Sequence, residues 1–235
     1  KKDEFLFYIK DLKSKALVIF DDYEGPALAA AQELGIAVIK LKRDTKISGA
    51  FTLHSDTRVS GNVDTSATDQ DDIALILHTS GTTSRPKIVP LLHRNLTASA
   101  NHIAGALELT PTDRCLNVMP LFHIHGLVAA VSASLHAGAE VFCTTGFDAL
   151  KFFGWMSTHK PTWYTAVPTM HQAILSRAAR NHDVLQTVQL RFLRSSSASL
   201  PPQVFSALSD TFAAPVIEGY GMTEAAHQMA SNPLP

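Results

Sequence analysis

The sequence contains little cysteine and no long apolar run. Its two cysteines, Cys115 and Cys143, lie far apart in apolar surroundings and lack the spacing of metal ligands. A disulfide framework is therefore excluded, and this cysteine usage is typical of a reducing compartment. The nearest candidate for a membrane span, residues 129–135, is far shorter than the roughly 18 apolar residues that a spanning helix needs. No transmembrane helix is predicted.

An excess of charge of one sign is also lacking. The formal net charge is -1, and charged residues make up 17% of the 235 residues. No basic surface points to a nucleic-acid partner, and no acidic tail is present. The hydrophobic content of 46% is that of a chain with a substantial buried core. The length suits one large domain or two small ones.

Segments with the periodicity of helices and strands alternate along the chain. The first sixty residues predict an αβαβ block, with helices at 4–13 and 26–34 and strands at 16–20 and 36–41. Residues 42–72 are polar and mark a boundary or excursion. The alternation then resumes, so we predict an α/β protein with mostly parallel sheets covered by helices on both faces.

The run after the apolar strand 73–77 is rich in hydroxyl groups. Five of the six residues from Thr79 to Ser84 carry a side-chain hydroxyl, and Lys87 follows. Hydroxyl donors, freed backbone N–H groups and a cation complement a polyphosphate. The loop is not an ordinary P-loop, because Pro86 precedes the lysine where that motif has glycine. The alternative is a Ser/Thr-rich surface turn.

A glycine-rich run near the end of the chain is the second candidate. Gly219 and Gly221 bracket Tyr220, an aromatic residue that could stack on a base, and Thr223 and Glu224 follow. The glutamate suits a magnesium ion that bridges to phosphate oxygens. The alternative is a glycine-rich turn with a core tyrosine.

Four such loops follow predicted strands. They come after Leu77, Met119, Leu193 and Glu218. If the strands are parallel, all four loops lie at the same edge of the sheet, where ligands bind in this fold class. No G-x-S-x-G turn is present, which argues against a serine hydrolase.

These loops resemble the motifs of the adenylate-forming, or acyl-activating, superfamily. Residues 79–87 resemble its phosphate loop, 218–224 its adenine-and-magnesium motif, 195–200 its small-residue loop and 120–123 its acyl-pocket motif. Within that superfamily the likeness is strongest to the acyl-CoA synthetases that act as oxalate–CoA ligases in plants and fungi. Ser84 and Ile88 stand where the broad superfamily usually has glycine, and Ser84 is a trait of the oxalate group.

The resemblance implies a role for each matching residue. Lys87, Thr223 and Glu224 would be catalytic, with Thr223 on the α-phosphate and Glu224 holding Mg²⁺. The phosphate-binding residues would be Thr79, Ser80, Gly81, Thr82, Thr83, Ser84 and Lys87. The adenine-binding residues would be Ala198, Ser199, Glu218, Gly219, Tyr220 and Gly221.

The acyl site implied for a small dianion is polar. His123, Ser197 and His227 could hydrogen-bond the second carboxylate of oxalate, whereas an apolar pocket would make its burial costly. The alternatives are a packed gate residue at His123 and a solvated imidazole at His227. A metal pair formed by His123 and His125 is rejected, because no Cys, Asp or Glu clusters nearby.

The activity implied is ATP-dependent activation of a small carboxylic acid, with oxalate as the best candidate. An acyl-adenylate would form first, and coenzyme A would then displace AMP. The alternatives are a non-catalytic nucleotide- or acyl-binding module, a ligase for another short acid, and a kinase-like phosphoryl transferase that the missing Walker glycine disfavours.

The resemblance also implies a domain organisation. Residues 1–60 would be the αβαβ part of a large amino-terminal domain, and residues 61–235 its ATP- and acyl-binding core. Both ends of the chain resemble cuts in a longer protein, and the small lid domain with its catalytic lysine would lie beyond Pro235. The chain alone would then be inactive. Ligases of this kind can be cytoplasmic or peroxisomal.

Overall fold

The computed structural model describes residues 1–47, 49–56, 68–79 and 86–235. Contacts between Cα atoms divide the chain into two compact units, residues 1–67 and 68–235. The boundary predicted at 60/61 falls within 57–67, outside the described residues. No helix within the described ranges is long and apolar enough to cross a membrane.

The first unit is an α/β block of three strands and two helices. Parallel strands β1 and β2 pair side by side, and β3 adds to β2 in the antiparallel sense. Pro26 lies in the first turn of the second helix, and Gly35 ends this helix with φ of 63°, so the helix has the predicted range of 26–34. The elements are α1 (Lys2–Asp11), β1 (Ala16–Phe20), α2 (Pro26–Leu34), β2 (Ala37–Arg43) and β3 (Phe51–Ser55).

The second unit contains the remaining elements. They are β4 (Ile73–Thr79), β5 (Lys87–Leu92), α3 (His93–Ala106), β6 (Arg114–Asn117), a π-helix (His125–Ser132), α4 (Ala133–His136), β7 (Glu140–Cys143), α5 (Phe152–His159), β8 (Trp163–Ala166), α6 (Pro168–Ala178), α7 (His182–Thr187), β9 (Phe192–Ser196), α8 (Pro202–Phe212), β10 (Val216–Met222) and β11 (His227–Ser231).

A six-stranded sheet is the centre of this unit. Its strand order is β11-β10-β9-β8-β6-β7, and every pairing is parallel except that of β10 with β11. One apolar cluster, which includes Phe152 and Leu208, packs α5, α6 and α8 against the sheet. A second, which includes Ile103 and Val128, packs α3 and the π-helix against it. The predicted α/β fold with both faces covered is confirmed.

The expectation of four loops at one edge assumed parallel strands, and that assumption is wrong for β4; residues 80–85 of the loop that follows it lie outside the described residues. That strand pairs with β5 in the antiparallel sense, in a separate two-stranded sheet, with Thr79 opposite Lys87. The physical reason is the short connection, since a parallel crossover needs a dozen or more residues and a hairpin does not. The loops after β6, β9 and β10 do lie at the carboxyl edge of the parallel sheet.

Two elements were not predicted from the sequence. Helix α7 is short, and strand β11 follows a 3-10 turn at Thr223–Ala225 that reverses the chain. The register of β10 against β11 shifts between Tyr220 and Gly221. A Cβ atom at Gly221 would overlap the backbone carbonyl of His227, so this irregular pairing requires glycine.

We expect Gly221→Ala to disrupt the pairing of β10 with β11, because the added methyl group collides with backbone that cannot rotate away. The variant should lower the melting temperature and expose backbone amides of residues 227–231 to hydrogen exchange. The matched control is Gly105→Ala on α3, where a Cβ atom meets nothing within 4 Å. The control should stabilise the helix by roughly 0.5–1 kcal/mol. Equal behaviour of the two variants would contradict this reading.

Asp113 is a buried anchor at the opposite edge of the sheet. Its carboxylate is 3% exposed and accepts hydrogen bonds from Arg191 Nε and Nη2, each at 3.0 Å, and from Thr162 Oγ1 at 2.7 Å. Burial alone would raise the pKa of Asp113, but these bonds and one from the Thr110 N–H outweigh it and lower the pKa below 3.8.

Asp113→Asn should lower the free energy of unfolding by about 3 kcal/mol, because it leaves the Arg191 guanidinium without its counter-charge. Since the folded-state pKa of Asp113 is depressed, this contribution is complete above the unfolded value of 3.8 and is lost as the pH falls through the folded pKa. Denaturant titrations at several pH values check both statements. Glu140→Gln, which removes the solvated ion pair with Arg114, should cost less than about 1 kcal/mol.

Candidate functional site

A cavity of about 520 Å³ opens at the carboxyl edge of the parallel sheet. The ends of β9 and β10 form its walls, and β11, which the sequence did not predict, closes one side. All six residues assigned to adenine line it, together with Ser197. The lining is Ser197, Ala198, Ser199, Glu218, Gly219, Tyr220, Gly221, Ala230, Ser231 and Asn232.

Local hydrogen bonds hold the two walls together. Ser196 Oγ donates to the carbonyl of Gly219 at 2.5 Å, and the Leu200 N–H donates to Glu218 Oε1 at 3.3 Å. Ser197 takes a positive φ of 71° just after β9, so the chain leaves the strand sharply. Tyr220 is 65% exposed. Its ring is therefore available to stack on a flat ligand.

A buried polar layer lies behind the cavity. His125 is fully buried; its Nδ1 is 3.0 Å from Ser197 Oγ, and its Nε2 is 2.6 Å from Thr165 Oγ1. Arg194, also fully buried, places Nη1 3.4 Å from the same Nε2 and donates from Nη2 to Gln228 Oε1 at 3.0 Å. Ser197 thus joins the buried layer to the cavity.

The histidines of this layer are neutral at physiological pH. Burial, and next the charge of Arg194, lower the pKa of His125 well below its usual value. The same two causes, in the same order, lower the pKa of His227 to about 3. The rings of His125 and His227 lie 5.1 Å apart, and His227 Nδ1 has no hydrogen-bond partner among the described residues. A neutral imidazole donates one hydrogen bond from its protonated nitrogen and accepts one at the other nitrogen.

His123 lies at the edge of this layer. Its Nδ1 accepts a hydrogen bond from the backbone N–H of His125 at 3.1 Å, and burial lowers its pKa. Phe122 beside it is 81% exposed. In the ranges that the structure describes, no group of three or more His, Cys, Asp or Glu side chains could hold a metal ion.

Of the residues assigned to the phosphate end, Thr223 and Glu224 lie on and beside the turn after β10, outside the lining of this cavity. Glu224 is exposed on the 3-10 turn after β10 and lines a second cleft with Asn95, Ser99 and His102. Strand β5 contacts this turn. Thr223 precedes Glu224 and is half-buried. The structure thus brings the adenine set and Ser197 together, while Glu224 faces another opening.

The hydroxyl loop itself is only partly described. Residues 80–85, which include Ser80, Gly81, Thr82, Thr83 and Ser84, lie outside the described residues. Thr79 and Lys87 face each other at the end of the hairpin, and Lys87 is exposed. Thr79 Oγ1 is buried and has no hydrogen-bond partner in the part of the chain that is described.

The donor set suits magnesium rather than a metal that needs a full protein cage. Magnesium commonly takes one or two carboxylates, with phosphate oxygens and water completing its coordination. A single exposed carboxylate, Glu224, on a turn that contacts β5 fits that pattern. Glu224 could therefore hold the ion only together with a bound phosphate chain.

The sequence interpretation missed the buried layer. It rejected His125 as a metal ligand and did not consider Arg194, Thr165 or Gln228. One signal was available, because Arg194 directly follows Phe192 and Leu193 in a strand that begins with large apolar residues. A charged side chain in such a strand needs a special reason, since an uncompensated buried charge is costly.

Comparison with known proteins assigns the family. The model of the AMP-binding enzyme family matches residues 1–235. An oxalate–CoA ligase of Arabidopsis thaliana is 46% identical over 239 residues, which cover 99% of this chain and 46% of that protein. An oxalate–CoA ligase of Saccharomyces cerevisiae is 37% identical over 257 residues, covering 100% and 47%.

A solved structure agrees with this assignment. ATP-bound MatB from Rhodopseudomonas palustris superposes with a TM-score of 0.76 at 28% identity, over 99% of this chain and 45% of that one. The chain therefore spans about half the length of the relatives it matches. It is a member of the AMP-binding enzyme family.

Proposed function

We propose that the protein to which this chain belongs is an acid–CoA ligase that activates a small carboxylic acid, with oxalate as its best candidate. A carboxylate oxygen of the acid attacks the α-phosphorus of ATP, and the bond to the β-phosphate breaks as pyrophosphate leaves. The sulfur of coenzyme A then attacks the acyl carbon. AMP leaves with the bonding electrons, and the thiol proton passes to solvent.

The observation that carries the proposal is the cavity at the end of β9 and β10. Its two walls are backbone-rich, and the exposed ring of Tyr220 stands beside them. A flat, largely uncharged adenine fits such a slot, because stacking on an aromatic ring needs no charge. Ala198, Ser199, Glu218, Gly219 and Gly221 are proposed to enclose the base.

The acyl end of the site is proposed to lie at Ser197, His123 and His227. Ser197 belongs both to the cavity lining and to the buried polar layer. The imidazole of His227 is neutral, and its Nδ1 lacks a partner among the described residues. A ligand with a second polar end could pair with this nitrogen, whereas an alkyl chain would leave it buried and unpaired, which is costly. The site should therefore prefer the polar ligand. The names of the two relatives favour oxalate over other short acids.

The phosphate end is proposed to lie at the hairpin and the turn that contacts it. Thr79, the hydroxyls of residues 80–84 and Lys87 would bind the β- and γ-phosphates, and Lys87 would orient pyrophosphate as the leaving group. Thr223 would bond the α-phosphate. Glu224 would hold Mg²⁺, which when bound neutralises charge on the phosphate oxygens. A cytoplasmic or peroxisomal location stays a prediction from the resemblance.

The deciding experiment is acid-dependent exchange of pyrophosphate into ATP by the full-length protein. We expect exchange with oxalate, and much less with acetate or a fatty acid, because only oxalate presents a second carboxylate to Ser197 and His227. Exchange driven by another short acid would keep the reaction and change the substrate. ATP binding without exchange for any acid would instead favour a non-catalytic nucleotide- or acyl-binding module.

Lys87→Ala should weaken ATP binding by about 1–3 kcal/mol, the value of a lost charge-assisted hydrogen bond. The measurement is calorimetric titration of ATP, and of AMP, into the full-length protein. AMP affinity should change little, because AMP lacks the β- and γ-phosphates. Lys160→Gln is the matched control, since this exposed lysine precedes β8 at the other edge of the sheet. An unchanged ATP affinity in Lys87→Ala would refute the assignment of the loop.

A further inference from the structure

Arg194 is a buried cation without a counter-charge. Its side chain is fully buried, and its two hydrogen-bonded neighbours, His125 and Gln228, are neutral. Nε has no partner in the described part of the chain, and no carboxylate there contacts the guanidinium. Burying a charge in this way is expensive. Arg191, three residues earlier on the same stretch of chain, is by contrast paired with Asp113.

The guanidinium lies directly behind the wall of the proposed ATP and acyl cavity. A Cβ atom at Gly219, a residue of the cavity lining, would overlap Nη2 of Arg194. The glycine therefore leaves the space that the guanidinium fills. Only a backbone layer separates this positive charge from the cavity, so an anion bound near Gly219 and Ser197 would sit in its field.

Arg194 also fixes the direction of a hydrogen-bond chain. A guanidinium can only donate, so a hydrogen bond from Nη1 to His125 Nε2, 3.4 Å away, favours the tautomer in which that nitrogen is the acceptor. The Thr165 hydroxyl, 2.6 Å away, can donate to the same nitrogen. In that tautomer the proton of neutral His125 is on Nδ1, which can donate to Ser197 Oγ at 3.0 Å.

The direction of this chain decides what Ser197 offers to a ligand. With its oxygen accepting from His125, the Ser197 hydroxyl keeps its own proton free to donate into the cavity. In the opposite tautomer, the Ser197 hydroxyl would donate its proton to His125 Nδ1, and only its oxygen lone pairs would face the ligand. The first arrangement attracts a carboxylate and the second repels it.

We infer that Arg194 is a positioning residue that selects a substrate with a second carboxylate, by holding His125 in the Nδ1–H tautomer and so directing the Ser197 hydroxyl at the anion. The inference rests on the proposed function, since it names how the acyl site of that reaction distinguishes a dianion. Arg194 would act on the choice of acid through His125 and Ser197, without contacting the ligand itself.

The first test needs no substitution of Arg194. Long-range ¹H–¹⁵N spectra of the full-length protein, labelled at histidine and assigned with His125→Gln, report the tautomer of His125. We expect a protonated Nδ1 and an unprotonated Nε2. An Nε2–H tautomer, or a doubly protonated ring, would overturn the inference whatever the enzyme kinetics show.

The second test compares acids in the exchange assay. Arg194→Met, which keeps the length of the side chain and removes its charge, should lower kcat/KM for oxalate relative to acetate by about tenfold or more, mainly through KM. Arg194→Lys keeps a donating cation and should recover part of the preference. Arg180→Met, at an exposed position, is the control and should leave the ratio unchanged.

The outcomes separate the two proposals. Exchange that persists with unchanged acid preference in a folded Arg194→Met variant overturns this inference alone. Absence of exchange with every acid in the wild-type protein overturns the proposed function and the selective role with it. If Arg194→Met does not fold, the tautomer of the wild-type protein and the acid preference of Arg194→Lys relative to the wild-type protein still decide.

Discussion

Parallel pairing of β6, β8, β9 and β10 is the constraint on which the site depends. In this arrangement every strand ends at the same edge, so chain segments far apart in sequence deliver their loops to one place. Ser197 and Gly219 reach the cavity because β9 and β10 are neighbours in register. The two apolar clusters pack helices against both faces of the sheet and so fix the positions from which the loops leave the strands. Strand β11 then reverses along β10 and closes one side of the opening.

Polar groups inside this apolar frame give the site its chemical character. His125 of the π-helix, Thr165 of β8 and Arg194 of β9 are fully buried, and the latter two each lie within hydrogen-bonding distance of His125 Nε2. The low dielectric that makes such groups costly also makes their mutual orientation strict. Asp113 and Arg191 at the other edge illustrate the ordinary solution, a matched pair with several hydrogen bonds. Arg194 has no such paired carboxylate among the described residues. This difference distinguishes the structural role of Arg191 from the ligand-directed role that we infer for Arg194.

The fold was largely predictable from the sequence, and the site only in part. Apolar runs of strand length, proline at the start of α2 and glycine at its end are local signals that burial and backbone geometry both enforce. The hairpin of β4 and β5 was not predictable from periodicity, because a strand run does not state its direction. The adenine set came from motif order, and it does line one cavity. His125, Thr165 and Arg194 were missed because single polar residues in apolar elements carry no spacing pattern. Their meaning lies in which side chains the sheet and the π-helix bring together.

The π-helix at His125–Ser132 has a consequence for how such a site can change during evolution. Each hydrogen bond of a π-helix spans one more residue than that of an α-helix, and such helices occur commonly at functional sites. Gly126 packs so closely on the carbonyl of Pro120 that a Cβ atom would not fit, which ties the start of this helix to the loop after β6. Removal of one residue would turn His125 by about 100° away from Ser197. The preference among acids could therefore change through the insertion or deletion of one residue in this helix, with every side chain of the pocket retained.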